Sequence, residues 1–335
     1  GIQAQTYLRI AGGDISIAAV DDALHSNGNI TIGGGTFNIS SGDDGIHADT
    51  ILTINNGEIN ITTSAEGLEA NGVEINGGVI SLRAYDDGIN ACDNSATGTT
   101  PYISISDGSI TSNADGDGID SNGDLTITGG TVVVWTANTA DNEPLDADGT
   151  ITVTGGTVLA AGGSSGMGMS LEAAQPCVIY GVSGLGGTPG SAQSSSLIAS
   201  GADFTIEDSG STVYSGTARC NASFVFFSSA DVTADGTYTL KAGDSSAEGT
   251  AQSGTVSTGM GMGGGFRGGQ KPDGEPPEGF DGQKPNGGKT EWERPDLADG
   301  ERPEPPDGQG KSKDGRVPAG DNASDTNDPD TTQAA

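Results

Sequence analysis

Short runs of alternating apolar and polar residues, broken by Asn, Asp and Gly, fill the first half of the chain. Residues 23–26, 29–32 and 36–40 form one such triplet, separated by Asn27-Gly28 and by Gly33-Gly34-Gly35. Alternation over runs this short predicts half-buried β-strands, and the Gly and Asn clusters predict the corners between them. The triplet then recurs. Its second corner returns as Asn56-Gly57, Gly77-Gly78, Asp107-Gly108, Gly129-Gly130 and Gly155-Gly156. One phrase marks the beginning of each unit, as SGDDGIHAD at 41–49, SAEGLEAN at 64–71 and YDDGINAC at 85–92. Set on its carboxylate, the register falls at Asp22, Asp44, Glu66, Asp87, Asp117 and Glu143, in steps of 22, 22, 21, 30 and 26 residues. A fixed period of this length is the signature of a solenoid, the two longer steps carrying insertions.

Three strands per repeat predict an all-β protein, a parallel β-helix whose coils stack about 4.8 Å apart. The usual twist preference makes it right-handed. Alternation assigns the inward positions. The first strand contributes Leu24, Ile46, Leu68, Ile89, Ile119 and Leu145, and the second Ile30/Ile32, Leu52/Ile54, Val73/Ile75, Ile103/Ile105, Leu125/Ile127 and Ile151/Val153. The third adds Phe37/Ile39, Ile59/Ile61, Ile80/Leu82, Val132/Val134 and Val158/Ala160. The period fades after about residue 164. The division expected is a β-helix over 1–181, a small β module closing its C-terminal end over 182–250, and a disordered acidic tail rich in Gly and Pro over 251–335.

Composition agrees with this shape. Hydrophobic residues make up only 32% and there are 58 glycines, low for a layered globule but suited to a thin, many-cornered coil. The net charge of −33 argues against nucleic acid and anionic membranes and in favour of cations or cation-bridged ligands. No apolar run approaches a membrane span, and a monomer is expected. Three cysteines, Cys92, Cys177 and Cys220, do not make a disulfide framework; a Cys177–Cys220 bridge stays open. The chain starts at Gly1 and not at Met, which fits a mature form whose signal has been removed and points to secretion.

The candidate chemistry lies on the first strand. Its outward residues are His25, His47, Glu69, Asn90, Asp120 and Asp146, preceded by the corner acids and by Asp21, Asp43 and Asp86. One coil step apart, unneutralised carboxylates repel. Hard oxygen donors at this density suit Ca²⁺, which accepts 6–8 oxygens in loose geometry. The candidate ligands are Asp43, Asp44, Glu66, Glu69, Asp86 and Asp87, with Asp117, Asp120, Glu143 and Asp146 as a second cluster. A solvated acidic ladder is the plainer alternative. His25 and His47 offer nitrogen donors for a transition metal, exposed ladder residues being the alternative there. For a sugar, Tyr85, Tyr102 and Trp135 border the insertions, with Arg83 close by in the sequence; strand-edge packing explains each aromatic equally well.

An eliminating lyase needs a Lys or Arg base, yet no lysine precedes Lys241, and Arg83 by itself is weak support for catalysis. No catalytic residue is assigned. No phosphate loop is present either, since GMGMGGG at 259–265 follows no strand–helix pattern. Thr31, Thr53, Thr126 and Thr152 form an outward ladder that invites comparison with ice-binding surfaces, but Glu74 and Ser104 interrupt it.

DDGIHAD at 43–49, EGLEANGVEINGG at 66–78, DDGINA at 86–91 and FVFFSSADVTADGTYTLKAG at 224–243 resemble the β-helical carbohydrate-binding proteins of anaerobic clostridial and ruminococcal bacteria. The resemblance runs over residues 14–243. It implies a fold related to pectate lyases, export to the cell surface, and Ca²⁺-dependent binding of plant cell-wall polysaccharide, acidic pectic chains and cellulose among them, without cleavage. Carried over, the metal positions are Asp43, Asp44, Glu66, Glu69, Asp86 and Asp87. A weak polysaccharide lyase, and a surface spacer or adhesin stiffened by calcium, are the other readings.

Overall fold

The computed structural model describes residues 1–94, 97–137, 142–163, 170–181 and 196–257. It is all-β, a solenoid of about seven coils with about 22 residues in each. Parallel pairing from coil to coil keeps the register that the repeat predicts. On the first face Ile2 lies beside Leu24, Leu24 beside Ile46, Ile46 beside Leu68 and Leu68 beside Ile89. On the second, Leu8, Ile30, Leu52, Val73, Ile103, Leu125, Ile151 and Leu171 are consecutive partners. The third runs through Ile15, Phe37, Ile59, Ile80, Ile110, Val132 and Val158.

These columns are the core. Every inward residue from Leu24 to Ala160 that alternation assigns is at most 3% exposed. Burying a Leu or Ile stabilises by roughly 1.5–3 kcal/mol, and three stacked columns repeat that gain on each coil. Ser112 sits at an inward position of the third face, where the adjacent coils carry Leu82 and Val134, and its hydroxyl donates to the Gly118 carbonyl at 3.0 Å. Two corners explain the glycines. At the second corner the closing glycine of each coil has φ in the left-handed region, from 111° at Gly35 and 126° at Gly57 to 86° at Gly156. Behind the corner acid the need is for space: a Cβ on Gly45 would lie 2.6 Å from the Gly67 carbonyl oxygen and 2.7 Å from Ile61 Cδ1.

At the C-terminal end the pairing changes. Phe224–Ser228 runs antiparallel to Thr157–Gly162 and to Ser170–Tyr180. Asp203–Asp208, Ser211–Thr217, Thr237–Ala242 and Ser245–Thr250 form a separate four-stranded antiparallel sheet. That sheet covers outward residues of the last coils, building a second core from Trp135, Leu159, Val178, Tyr180, Phe204, Phe227 and Tyr238. Composition places residue 251 at the head of the tail, but Gln252–Ser257 is a strand paired antiparallel with Ser170–Tyr180. The disordered tail expected beyond it lies outside the described residues. Cys92, Cys177 and Cys220 are free. Cys177 is buried in the solenoid core whereas Cys220 packs against the second core, so the bridge left open above does not form.

Candidate functional site

The first corner is built identically on successive coils. The carbonyl of each corner acid accepts from the coil before it: Asp44 from Ala23 at 3.0 Å, Glu66 from Gly45 at 2.9 Å, Asp87 from Gly67 at 3.1 Å, Asp117 from Gly88 at 2.9 Å and Glu143 from Gly118 at 3.0 Å. The side chains add a second ladder. Oδ1 of Asp22 accepts the Asp44 N–H at 3.1 Å, and Oδ1 of Asp44 accepts the Glu66 N–H at 3.3 Å. Asp87 accepts from Asp117 at 2.7 Å, and Asp117 from Glu143 at 2.5 Å. Three residues further on, the outward positions stack as Gln3, His25, His47, Glu69, Asn90, Asp120 and Asp146. Two columns of donor atoms therefore run side by side along one edge of the solenoid.

Within them, Asp43, Asp44 and Glu66 bring one carboxylate oxygen each within 4.8 Å of one another, as do Asp117, Asp120 and Asp146. Asp44 and Glu69 form a further such group with His47. Asp86, Asp87 and Glu143 belong to none of these groups. The Asp86 side chain is exposed and acts on Glu66 and Asp87 through its charge, while Glu143 serves the corner ladder through its N–H.

The electrostatics show what the crowding costs. Burial first, then a hydrogen bond to Asp44 and the charges of Asp44, Glu69 and Asp86, push the Glu66 carboxyl far up. Asp44 stays below its ordinary range, because bonds from His47, Glu66 and Glu69 outweigh its own burial. Burial together with neighbouring charge also raises Asp87 and Asp117 to about 7 and Asp120 to about 6, and it raises Asp43 and Glu69. Crowded together with little positive charge nearby, these groups give up their protons less readily than free carboxyls.

The donor set fits a hard divalent cation. From Glu69 onward it consists of carboxylate oxygens with one amide, and Oδ1 of Asn90, between Glu69 and Asp120 in the outward column, is buried and has no hydrogen-bond donor. A buried carbonyl oxygen without a partner costs about 1–3 kcal/mol, which a cation would remove. Beside the column, the Cys92 thiol donates to Glu69 Oε1 at 3.1 Å; burial and that carboxylate push the thiol up to about 12, so it stays neutral. The repeat register places Asn90 in the column, yet neither Asn90 nor Cys92 is among the candidate ligands read from the sequence.

The aromatic candidates separate. Tyr85 is 65% exposed, next to Asp86, with the Arg83 guanidinium 5.7 Å from its ring centre. Arg83 also pairs with Asp115 at 2.6 Å. Tyr102 begins a strand of the second face, where its ring covers Gly72 and its hydroxyl donates to Glu74 Oε1 at 2.8 Å. Trp135 is a correction: it is 2% exposed and packs edge-on against Phe204 at 5.9 Å, so no sugar ring reaches it. It points outward from the solenoid as expected, and a segment almost seventy residues further along the chain covers it.

Among the described residues no helix is long and apolar enough to cross a membrane. A family model described as a carbohydrate-binding domain-containing protein matches residues 1–45 and 43–256. Neither curated proteins nor solved structures give a match.

Proposed function

The chain belongs to the carbohydrate-binding domain-containing family, and on that premise we propose that it binds acidic plant cell-wall polysaccharide through Ca²⁺ held on the acidic edge, without cleaving it. The observation that carries this reading is the convergence of Asp43, Asp44 and Glu66, and again of Asp117, Asp120 and Asp146, in a column where burial and neighbouring charge push Glu66, Asp87 and Asp117 up. Calcium takes 6–8 oxygens, so three side chains leave positions for a ligand carboxylate and water. A uronate chain repels this surface when no metal is bound; a bound ion reverses that sign locally. Tyr85 offers a flat, exposed ring to a sugar beside Asp86, and Arg83 a guanidinium to its carboxylate.

Arg83 supports binding better than cleavage. It is engaged by Asp115, and a guanidinium already paired with a carboxylate is a poor base. On this reading the protein works outside the cell or at its surface. Retention on immobilised polygalacturonate, measured with Ca²⁺ and with EDTA, tests the reading. Binding lost in EDTA and restored by Ca²⁺ is expected; retention unchanged by EDTA overturns the bridge. Unsaturated products absorbing in the ultraviolet, abolished in Arg83→Ala, would replace the binding reading with a lyase.

A further inference from the structure

The outward column changes donor type at its N-terminal end. From Glu69 onward it presents oxygen, but at the two preceding coils it presents imidazole nitrogen. His25 and His47 are direct partners in the parallel ladder, with ring centres 4.9 Å apart and planes at 69°. Both rings turn Nδ1 towards one carboxylate oxygen: Oδ2 of Asp22 lies 2.6 Å from Nδ1 of His25 and 3.5 Å from Nδ1 of His47. Oδ2 of Asp44 stands 3.2 Å from the same His47 nitrogen. The other oxygen of Asp22 is fixed by the Asp44 N–H, which holds Oδ2 in place facing both rings.

We propose that Asp22, His25 and His47 form a binding site for a borderline divalent transition-metal ion, Zn²⁺ foremost, with Asp44 as a fourth ligand. Tetrahedral zinc at about 2.1 Å from its ligands spaces them about 3.3–3.5 Å apart. The contacts of His47 to Asp22 and Asp44, at 3.5 and 3.2 Å, already match that spacing. The His25–Asp22 contact must open by less than about 1 Å, and Asp22, His25 and His47 already bring one donor atom each within 4.8 Å of one another. The site is also accessible, with His25 19% and His47 25% exposed.

A second observation points the same way. The far nitrogen of His47, Nε2, faces Asp49 Oδ1 at 3.6 Å and Glu69 Oε1 at 4.0 Å. A carboxylate on the far side of an imidazole is the arrangement that fixes the tautomer and ring orientation of metal-bound histidines. Nitrogen donors also separate this site from the oxygen-only groups further along, since calcium selects oxygen and zinc accepts imidazole.

The site shares Asp44 with the calcium group, but Asp22, His25 and His47 lie outside it, so either reading can fail without the other. Metal-free protein titrated with Co²⁺, a visible and paramagnetic stand-in for Zn²⁺, tests it by absorption and proton NMR. One tightly bound Co²⁺ is expected that shifts the ring resonances of both histidines, persists in excess Ca²⁺ and is displaced by Zn²⁺. His25→Ala and His47→Ala should each weaken it at least about tenfold, and Asp49→Asn about tenfold. Unshifted ring resonances in the unmodified chain, or full displacement by Ca²⁺, overturn the proposal. The ring shifts require no substitution, so they decide even if a variant fails to fold.

Discussion

The main-chain N–H of Asp117 donates to Oδ1 of Asp87 at 2.7 Å across thirty residues of sequence, joining two coils at the acidic corner. The same bond links Asp44 to Asp22, Glu66 to Asp44 and Glu143 to Asp117. Each of these accepting acids thus spends one oxygen as a rung of the solenoid and keeps the other for a second partner, as Asp22 and Asp44 do with His47. A structural and a binding role coexist in one side chain, and substitutions can separate them.

Asp87→Asn keeps the accepting oxygen and removes the charge. It should leave thermal stability in EDTA unchanged or raised, while weakening the Ca²⁺-induced rise in Tm. Asp87→Ala removes the rung as well and should cost about 1–3 kcal/mol by leaving the Asp117 N–H without its acceptor. Denaturant unfolding of both variants, with and without Ca²⁺, checks the pair. Equal behaviour of Asn and Ala would show that the rung contributes nothing.

The pH dependence of stability has a definite sign without metal. Asp87 and Asp117 are raised from 3.8 to about 7, so between those values the folded chain binds more protons than the unfolded one. Stability conferred there falls as pH rises. His47, raised from 6.5 to about 10 because the bonds from Asp22 and Asp44 outweigh its burial, extends the loss above neutrality. Asp22 opposes only at low pH: bonds from His47 and His25 outweigh its burial and hold it at about 2, so its contribution is complete above 3.8. In EDTA the Tm should therefore decline from pH 5 to pH 8, and saturating Ca²⁺ should flatten or invert that slope. A rising Tm in EDTA over this range would show that the acids are not crowded in solution.

Gly45→Ala tests the close stacking behind the corner. Its Cβ would meet the Gly67 carbonyl and Ile61, both fixed by neighbouring coils. Overpacking of this kind costs about 1–3 kcal/mol, read as a fall in the unfolding midpoint with the slope unchanged.

Tyr85 and Trp135 should respond in opposite ways. Tyr85→Ala removes an exposed ring and should weaken polygalacturonate retention while leaving Tm within about 1 °C of the parent, the usual scale for surface changes. Trp135→Ala empties a buried site between the last coils and the antiparallel sheet and should cost about 3–5 kcal/mol. Differential scanning calorimetry beside the retention assay distinguishes them.

The acidic candidates and the aromatic ones were unequally readable. Asp44, Glu66, Asp87 and Asp117 stand in line because one register, read off the phrase DDG and its variants, fixes all of them at once. What they do with their two oxygens was not readable, since that depends on side-chain torsions at a corner where coil meets coil. Trp135 shows the same limit from the other side. Alternation points it outward, and only the approach of Phe204 from a distant strand turns outward into buried. Gln252–Ser257 reads as tail by composition and becomes a strand because Ser170–Tyr180 offers it an unpaired edge.

The sequence by itself determined the solenoid: a period of two along each strand and of about 22 between coils leaves only one way to stack Leu24, Ile46 and Leu68 out of water. It likewise set which residues share a column. Tertiary structure alone decided which of them converge on a common point, as His25 and His47 do on Asp22, and which surface the C-terminal sheet covers. The reason is physical. Repeats encode translation along the axis, which local periodicity carries, whereas convergence of donor atoms and burial of an outward ring depend on torsions and on partners distant in the chain.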